Sequence, residues 1–155
     1  MSKVETVNEI VNPLIKTAKS IAKKMEHAPT WFIGNKDGMT VIQTHFSNNQ
    51  EKDLMAKAIK MKLMELEADF YVFIHEAYML QLENPEDYNP NKPVKEQAGN
   101  IECLFISYKN REGFGKMWVY PIKNSNGKRI LGKPQIADNR DDSSDMKGRM
   151  VIEDW

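Results

Sequence analysis

The chain has 155 residues, of which 41% are apolar and 28% charged, a length and composition typical of one globular domain spanning residues 1–155. Its 22 basic and 22 acidic side chains give a formal net charge of zero, which disfavours a general polyanion binder. The single cysteine, Cys103, excludes an intramolecular disulfide and a zinc site built from several cysteines. Because no apolar run reaches membrane-spanning length, we expect a cytoplasmic protein with no membrane segment.

The first third of the chain predicts a helix followed by a hairpin. Apolar residues recur in steps of three and four over residues 4–25, which indicates one apolar stripe on a helix. Pro13 lies inside this segment and marks either a kink or a fresh helix start. Residues 30–46 contain two β-prone runs on either side of Asp37-Gly38, a step that favours the positive φ of a tight hairpin.

A second helix is predicted over about residues 49–67. Residues 47–50 match a capping box, and Glu51 follows where the positive end of a helix favours a carboxylate. The apolar periodicity predicts that this helix buries one set of side chains: Leu54, Met55, Ala58, Ile59, Met61, Leu63 and Leu66.

The second half of the chain is rich in predicted strands. Residues 69–75 are almost continuously apolar, which is typical of a central strand covered on both faces. Three further strands are predicted at 101–108, 115–122 and 128–136. Because the connections between them are short turns, the sequence predicts an α+β fold in which two main helices pack on a mostly antiparallel sheet of about five or six strands.

Three segments are predicted to be irregular or peripheral. Residues 83–99 form a long loop with three prolines, and loops of this length are usually functional or disordered. Residues 138–149 are acidic and are expected to be mobile, and residues 150–152 are expected to dock as a short edge strand.

The chain lacks the motifs that usually mark enzymes and cofactor sites. Glycine-rich nucleotide loops, the serine-hydrolase elbow, the zincin helix motif and the EF-hand loop are all missing from the sequence. We therefore predict no cofactor and no metal site, and we favour a non-enzymatic protein.

Four side chains could nevertheless carry acid–base or metal chemistry. Glu76 follows the most apolar strand, Glu102 lies on a second one, and His75 and His45 are close to strand ends. If these residues converge, they could act as a metal-assisted or acid–base hydrolase. The alternative, which we favour, is that Glu102 lies where the sheet edge meets water and His75 caps a strand end. Cys103 shares its strand face with apolar residues, which favours a buried and unreactive thiol.

The predicted hairpin over 111–133 offers a third class of function. Its basic and aromatic side chains resemble a surface for single-stranded nucleic acid, in which phosphates contact basic side chains and bases stack on aromatic rings. The candidate nucleic-acid-binding residues are Arg111, Lys116, Trp118, Lys128 and Arg129. A solvated hairpin with inward-facing rings is the alternative that we favour, so nucleic acid is an unlikely partner.

Ten methionines are unusual in a chain of this length. Methionine adapts its shape both in cores and at protein-binding surfaces, and core filling is the default interpretation. Together, the missing catalytic motifs, the methionine-rich apolar surfaces and the long loop predict a protein-binding or regulatory module whose partner is another protein or a second copy of the chain.

One stretch resembles known small proteins. A strand ending in His75-Glu76-Ala77-Tyr78, a proline-rich loop, then Ile101-Glu102-Cys103-Leu104 and a hairpin resemble small bacterial and phage proteins that carry no assigned function. The similar part covers roughly residues 30 to 135. The resemblance implies a microbial or viral setting and transfers no catalytic residue.

Overall fold

The fold is a single antiparallel sheet with one helix on each face. The computed structural model describes residues 3–138 and 151–155. Its helices and strands follow in this order: α1 (Lys3–Ala22), β1 (Thr30–Asn35), β2 (Gly38–Gln43), α2 (Asn49–Glu65), β3 (Phe70–Leu80), β4 (Asn100–Asn110), β5 (Gly115–Ser125), β6 (Lys128–Leu131) and β7 (Gln135–Asp138). The strand order is β2-β1-β3-β4-β5, and β6 and β7 pair with successive parts of β5. The predicted α+β class is confirmed, with seven strands in the sheet instead of five or six.

Side chains alternate between the two faces of the sheet, so the sheet separates two hydrophobic cores. On the side that we call the α1 face, Val72 and Ile74 of β3 pack with the apolar stripe of α1. On the opposite side, the α2 face, Tyr71 and Phe73 of β3 pack under α2. Successive side chains of a strand point to opposite faces, so the continuous apolar run of β3 reflects a strand that is covered on both sides, as predicted.

The two helices cover unequal parts of the sheet. The core under α1 takes residues from β3, β4 and β5. The core under α2 takes sheet residues from β1 and β3, together with Ile152 near the C-terminus, and within the described residues it includes none from β4 or β5. Among the described residues, no helix therefore covers the α2 face of β4 and β5.

Helix α2 departs from its predicted burial. Its N-cap is Asn48, whose Oδ1 accepts a hydrogen bond from the Glu51 backbone N–H at 2.8 Å. Ile59 and Leu63 are buried as predicted, and Met55 and Leu66 are partly buried. Leu54, Ala58 and Met61 are wrongly predicted to be buried: Leu54 is 61% exposed, Met61 is 70% exposed, and Ala58 also faces solvent. The helix packs on the sheet through one side only, so the apolar residues on its opposite side remain in water.

Several element boundaries also differ from expectation. Helix α1 continues through Pro13, which is exposed. The predicted strand over 128–136 is split into β6 and β7 around Pro134, which cannot donate a ladder hydrogen bond. The loop over 83–99 contains two short 3₁₀ turns, and the Gln97 side chain holds it together by bonding backbone groups of Asn89 and Lys92.

Only some of the residues in the C-terminal predictions are described by the structure. Most of the predicted acidic segment at 138–149, and Met150 of the predicted edge strand, lie outside the described residues. Val151 and Ile152 form no strand. Ile152 nevertheless docks, because its side chain is buried and its N–H donates to the Tyr71 hydroxyl at 3.0 Å. In the described part of the chain, no helix has the length and apolar character needed to cross a membrane.

Candidate functional site

The structure brings Glu76 and Glu102 together on the α1 face of the sheet. They project from neighbouring strands, since Glu76 pairs with Leu104 and Glu102 lies two residues away along β4. Arg129 of β6 lies between the two carboxylates: one guanidinium nitrogen binds Glu76, and another lies 3.5 Å from Glu102. The second Glu76 oxygen accepts a hydrogen bond from the His27 backbone N–H.

This cluster is largely shielded from water. The Glu76 side chain is 3% exposed. Burial raises the pKa of the Glu76 carboxyl, while the hydrogen bonds from His27 and Arg129 act in the opposite direction. Both oxygens of Glu76 are therefore already occupied by protein donors. The cluster ties the connection between α1 and β1 to β3 and β6, a structural role that needs no substrate.

The two predicted histidines do not join this cluster. His75 points to the α2 face, where its ring stacks between Phe73 and Phe105 at centroid distances of 4.5 and 5.3 Å. Burial between these rings is the main reason that the pKa of His75 falls to about 4. His45 is exposed, after the end of β2. Over residues 3–138 and 151–155, no group of three or more His, Cys, Asp or Glu side chains could hold a metal ion.

The proposed nucleic-acid residues do not form one exposed basic and aromatic surface. Trp118 is buried under α1, and the ammonium group of Lys116 lies over its ring. Arg129 is bound by the two carboxylates. The Arg111 Nε donates to the Ala68 carbonyl at 3.1 Å, and Lys128 is exposed at the start of β6. Strand register places Lys116, Trp118 and Arg129 on the covered face.

A cavity of about 720 Å³ opens on the uncovered part of the α2 face. Its walls include Met79, Ile101, Cys103, Val119 and Pro121. Cys103 is fully buried, and burial raises the pKa of its thiol, which agrees with an unreactive cysteine. Sequence reasoning missed this cavity, although β4 has consecutive apolar residues from Cys103 to Ile106, a signal that both faces of this strand need cover.

The two edges of the sheet differ in chemistry. The edge made by β6 and β7 carries Lys128 and Arg129 and is interrupted near Pro134. The other edge, β2, has the sequence Gly-Met-Thr-Val-Ile-Gln, with no charged residue and no proline. Met39 and Val41 on this strand are 45% and 57% exposed.

Comparison with known proteins finds no matching family model, no matching curated protein and no matching solved structure. The resemblance to small bacterial and phage proteins thus stays a prediction.

Proposed function

We propose that this protein is a non-enzymatic protein-interaction module that self-associates by pairing the β2 edges of two copies. The main support for this proposal is the contrast between the two edges of the sheet. Proteins normally protect open edges with charged residues, proline or irregular breaks, because an unprotected edge is a template for another strand. The β6 and β7 edge has these protective features, and β2 has none of them.

The direction of the backbone groups on β2 defines which residues would pair. The Thr44 N–H donates to the Pro29 carbonyl, so it points toward β1. Backbone groups in an antiparallel strand alternate in direction, so those of Thr40 and Ile42 also point toward β1. The N–H and C=O groups of Met39, Val41 and Gln43 point away from β1, toward an edge on which no described strand pairs with β2.

A second copy of β2 is the occupant that fits this edge best. Antiparallel pairing about a twofold axis at Val41 places Val41 opposite Val41 of the second copy, and Met39 opposite Gln43 of the second copy. All the outward residues then take part, which gives about six interchain hydrogen bonds. Each α1 face stays continuous with the α1 face of the other copy, because directly opposed residues share a face.

Polar side chains beyond the ends of β2 fit the same arrangement. In this register, Asp37 in the turn before β2 lies near His45 of the second copy, after its β2 strand, and an imidazole N–H is a suitable donor to a carboxylate. The twofold axis generates this contact twice, as expected for an interface that uses the same patch on both partners. The uncharged strand between these ends introduces no like-charge repulsion.

The competing functions have less support. For a hydrolase, Glu76 and Glu102 would need to reach a substrate, but Arg129 and the His27 N–H already occupy the Glu76 carboxylate. For a nucleic-acid binder, Trp118 would need to be accessible, but it is buried.

The self-association can be tested by sedimentation velocity over protein concentrations of about 1 to 100 μM. We expect the wild type to form a dimer. Val41→Pro and Val41→Lys should both be monomeric, because proline removes an outward donor without breaking a bond to β1, and lysine introduces a charge at the edge.

Ile130→Lys is the matched control, because Ile130 is also exposed on an edge strand but lies at the other side of the sheet. This variant should still dimerise. A wild type that is monomeric over the whole concentration range would refute the proposal, and so would folded Val41 variants that dimerise as well as the wild type.

A further inference from the structure

The cavity on the α2 face has the character of a small-molecule site. It exists because α2 packs on β1 and β3 and leaves the neighbouring strands uncovered. Its volume of about 720 Å³ lies within the range of about 300–1,000 Å³ that is common for ligand pockets. Side chains at alternate positions of three strands form its floor: Met79 and Ile101, which are paired across β3 and β4, and Cys103, Val119 and Pro121.

The rim of the cavity is positively charged. Lys95, Lys123 and Lys133 line it from three different segments, namely a 3₁₀ turn in the 83–99 loop, strand β5 and the turn after β6. All of them are exposed. Among the described lining residues, Glu102 alone is acidic, and its carboxylate is directed to Arg129 on the other face of the sheet. The cavity therefore combines an apolar floor with unbalanced positive charge at its mouth.

We infer that this cavity binds a small organic anion, a molecule with an apolar body and a carboxylate, sulfonate or phosphate head. The apolar body would cover Val119 and Met79, which removes apolar surface of both partners from water. The anionic head would lie among the lysines, where an ammonium group acts as a point charge with several donors. This inference is independent of self-association, because the cavity involves no residue of β2.

A matched pair of fluorescent probes tests the charge requirement. 1-Anilinonaphthalene-8-sulfonate and N-phenyl-1-naphthylamine share one aromatic body, and only the first carries an anionic group. We expect saturable binding of the sulfonate, with an affinity about tenfold higher than that of the neutral compound. A few partly solvated contacts between opposite charges contribute about this much to an affinity. The triple variant Lys95→Gln/Lys123→Gln/Lys133→Gln should remove this difference and leave binding of the neutral compound unchanged.

Lys128→Gln is the matched control, because Lys128 is an exposed lysine in the same hairpin but does not line the cavity. This substitution should leave the affinity for the sulfonate unchanged. Circular dichroism on each variant establishes that a lost signal does not come from unfolding.

The binding position can be read from methyl NMR on protein labelled at the methionine methyl groups. The sulfonate should shift the signal of Met79, on the cavity floor, and leave that of Met61, on the exposed side of α2, in place. Three results would each overturn the inference: no saturable binding of the sulfonate to folded protein, equal affinity for the two probes, or a shift at Met61 without one at Met79.

Discussion

The buried histidine of β3 predicts a specific pH dependence of stability. In the folded protein His75 is stacked between Phe73 and Phe105, and its pKa is lowered from 6.5 to about 4, mainly by burial, with Lys52 adding to the effect. In the unfolded chain the ring takes up a proton near its ordinary pKa. The unfolded state therefore binds more protons than the folded state between these two values. Stability from this residue is complete above about pH 6.5 and is lost as the pH falls toward about 4.

The size of the effect follows from the pKa difference. A tenfold change in proton affinity corresponds to about 1.36 kcal/mol, so a fall from 6.5 to about 4 amounts to about 3.4 kcal/mol in full. Because proton binding is linked to unfolding, about 2.5 kcal/mol of this stability is lost when the pH falls from about 7.5 to about 4.5. Because the residue keeps some contact with solvent, we expect a measured loss of about 2 kcal/mol.

Urea denaturation of the wild type and of His75→Phe at these two pH values measures this loss. Phenylalanine preserves the ring stack but cannot take up a proton, so the wild type should lose about 2 kcal/mol more than the variant on acidification. His45→Gln is the control: His45 is exposed, and its replacement should leave the wild-type pH dependence intact. Parallel pH profiles for the wild type and His75→Phe, or an NMR titration of His75 with a midpoint near 6.5, would show that burial of His75 does not cause the pH dependence.

Two further predictions concern the core. Arg129→Met should lower the free energy of unfolding at neutral pH by about 3 kcal/mol, because it leaves buried Glu76 without its cation. Adding Glu76→Gln to this variant should recover part of the lost stability. Since burial raises the pKa of Glu76, the deficit of Arg129→Met should shrink as the pH falls and the carboxyl is protonated, and a deficit that grows on acidification would contradict this account. Gly34→Ala should cost about 2 kcal/mol in urea denaturation, because a Cβ there would lie 2.1 Å from the Phe70 ring. An equal cost in a Phe70→Ala background would show that the clash is not the cause.

The elements whose signals are local could be predicted from the sequence. The apolar stripe of α1 is buried as its periodicity indicates, at Val7, Val11 and Ile15. The predicted hairpin forms between β1 and β2, with Lys36 and Asp37 in the turn and Gly38, at φ 140°, as the first residue of β2. In each case the signal comes from residues close together in the sequence, where backbone sterics and side-chain spacing determine the conformation.

Tertiary structure alone decided which surfaces and partners these elements have. Helix α2 has apolar residues on opposite sides, so periodicity could not tell that Ile59 would be buried and Met61 exposed. The contact of Glu76 with Arg129 joins residues 53 positions apart and depends on the register of the strands between them. One step of slippage would move a side chain to the other face of the sheet. Long-range register and the unequal cover of the two helices thus determine where the ion cluster, the open edge and the cavity lie, because the local sequence of a strand does not specify its neighbours in the sheet.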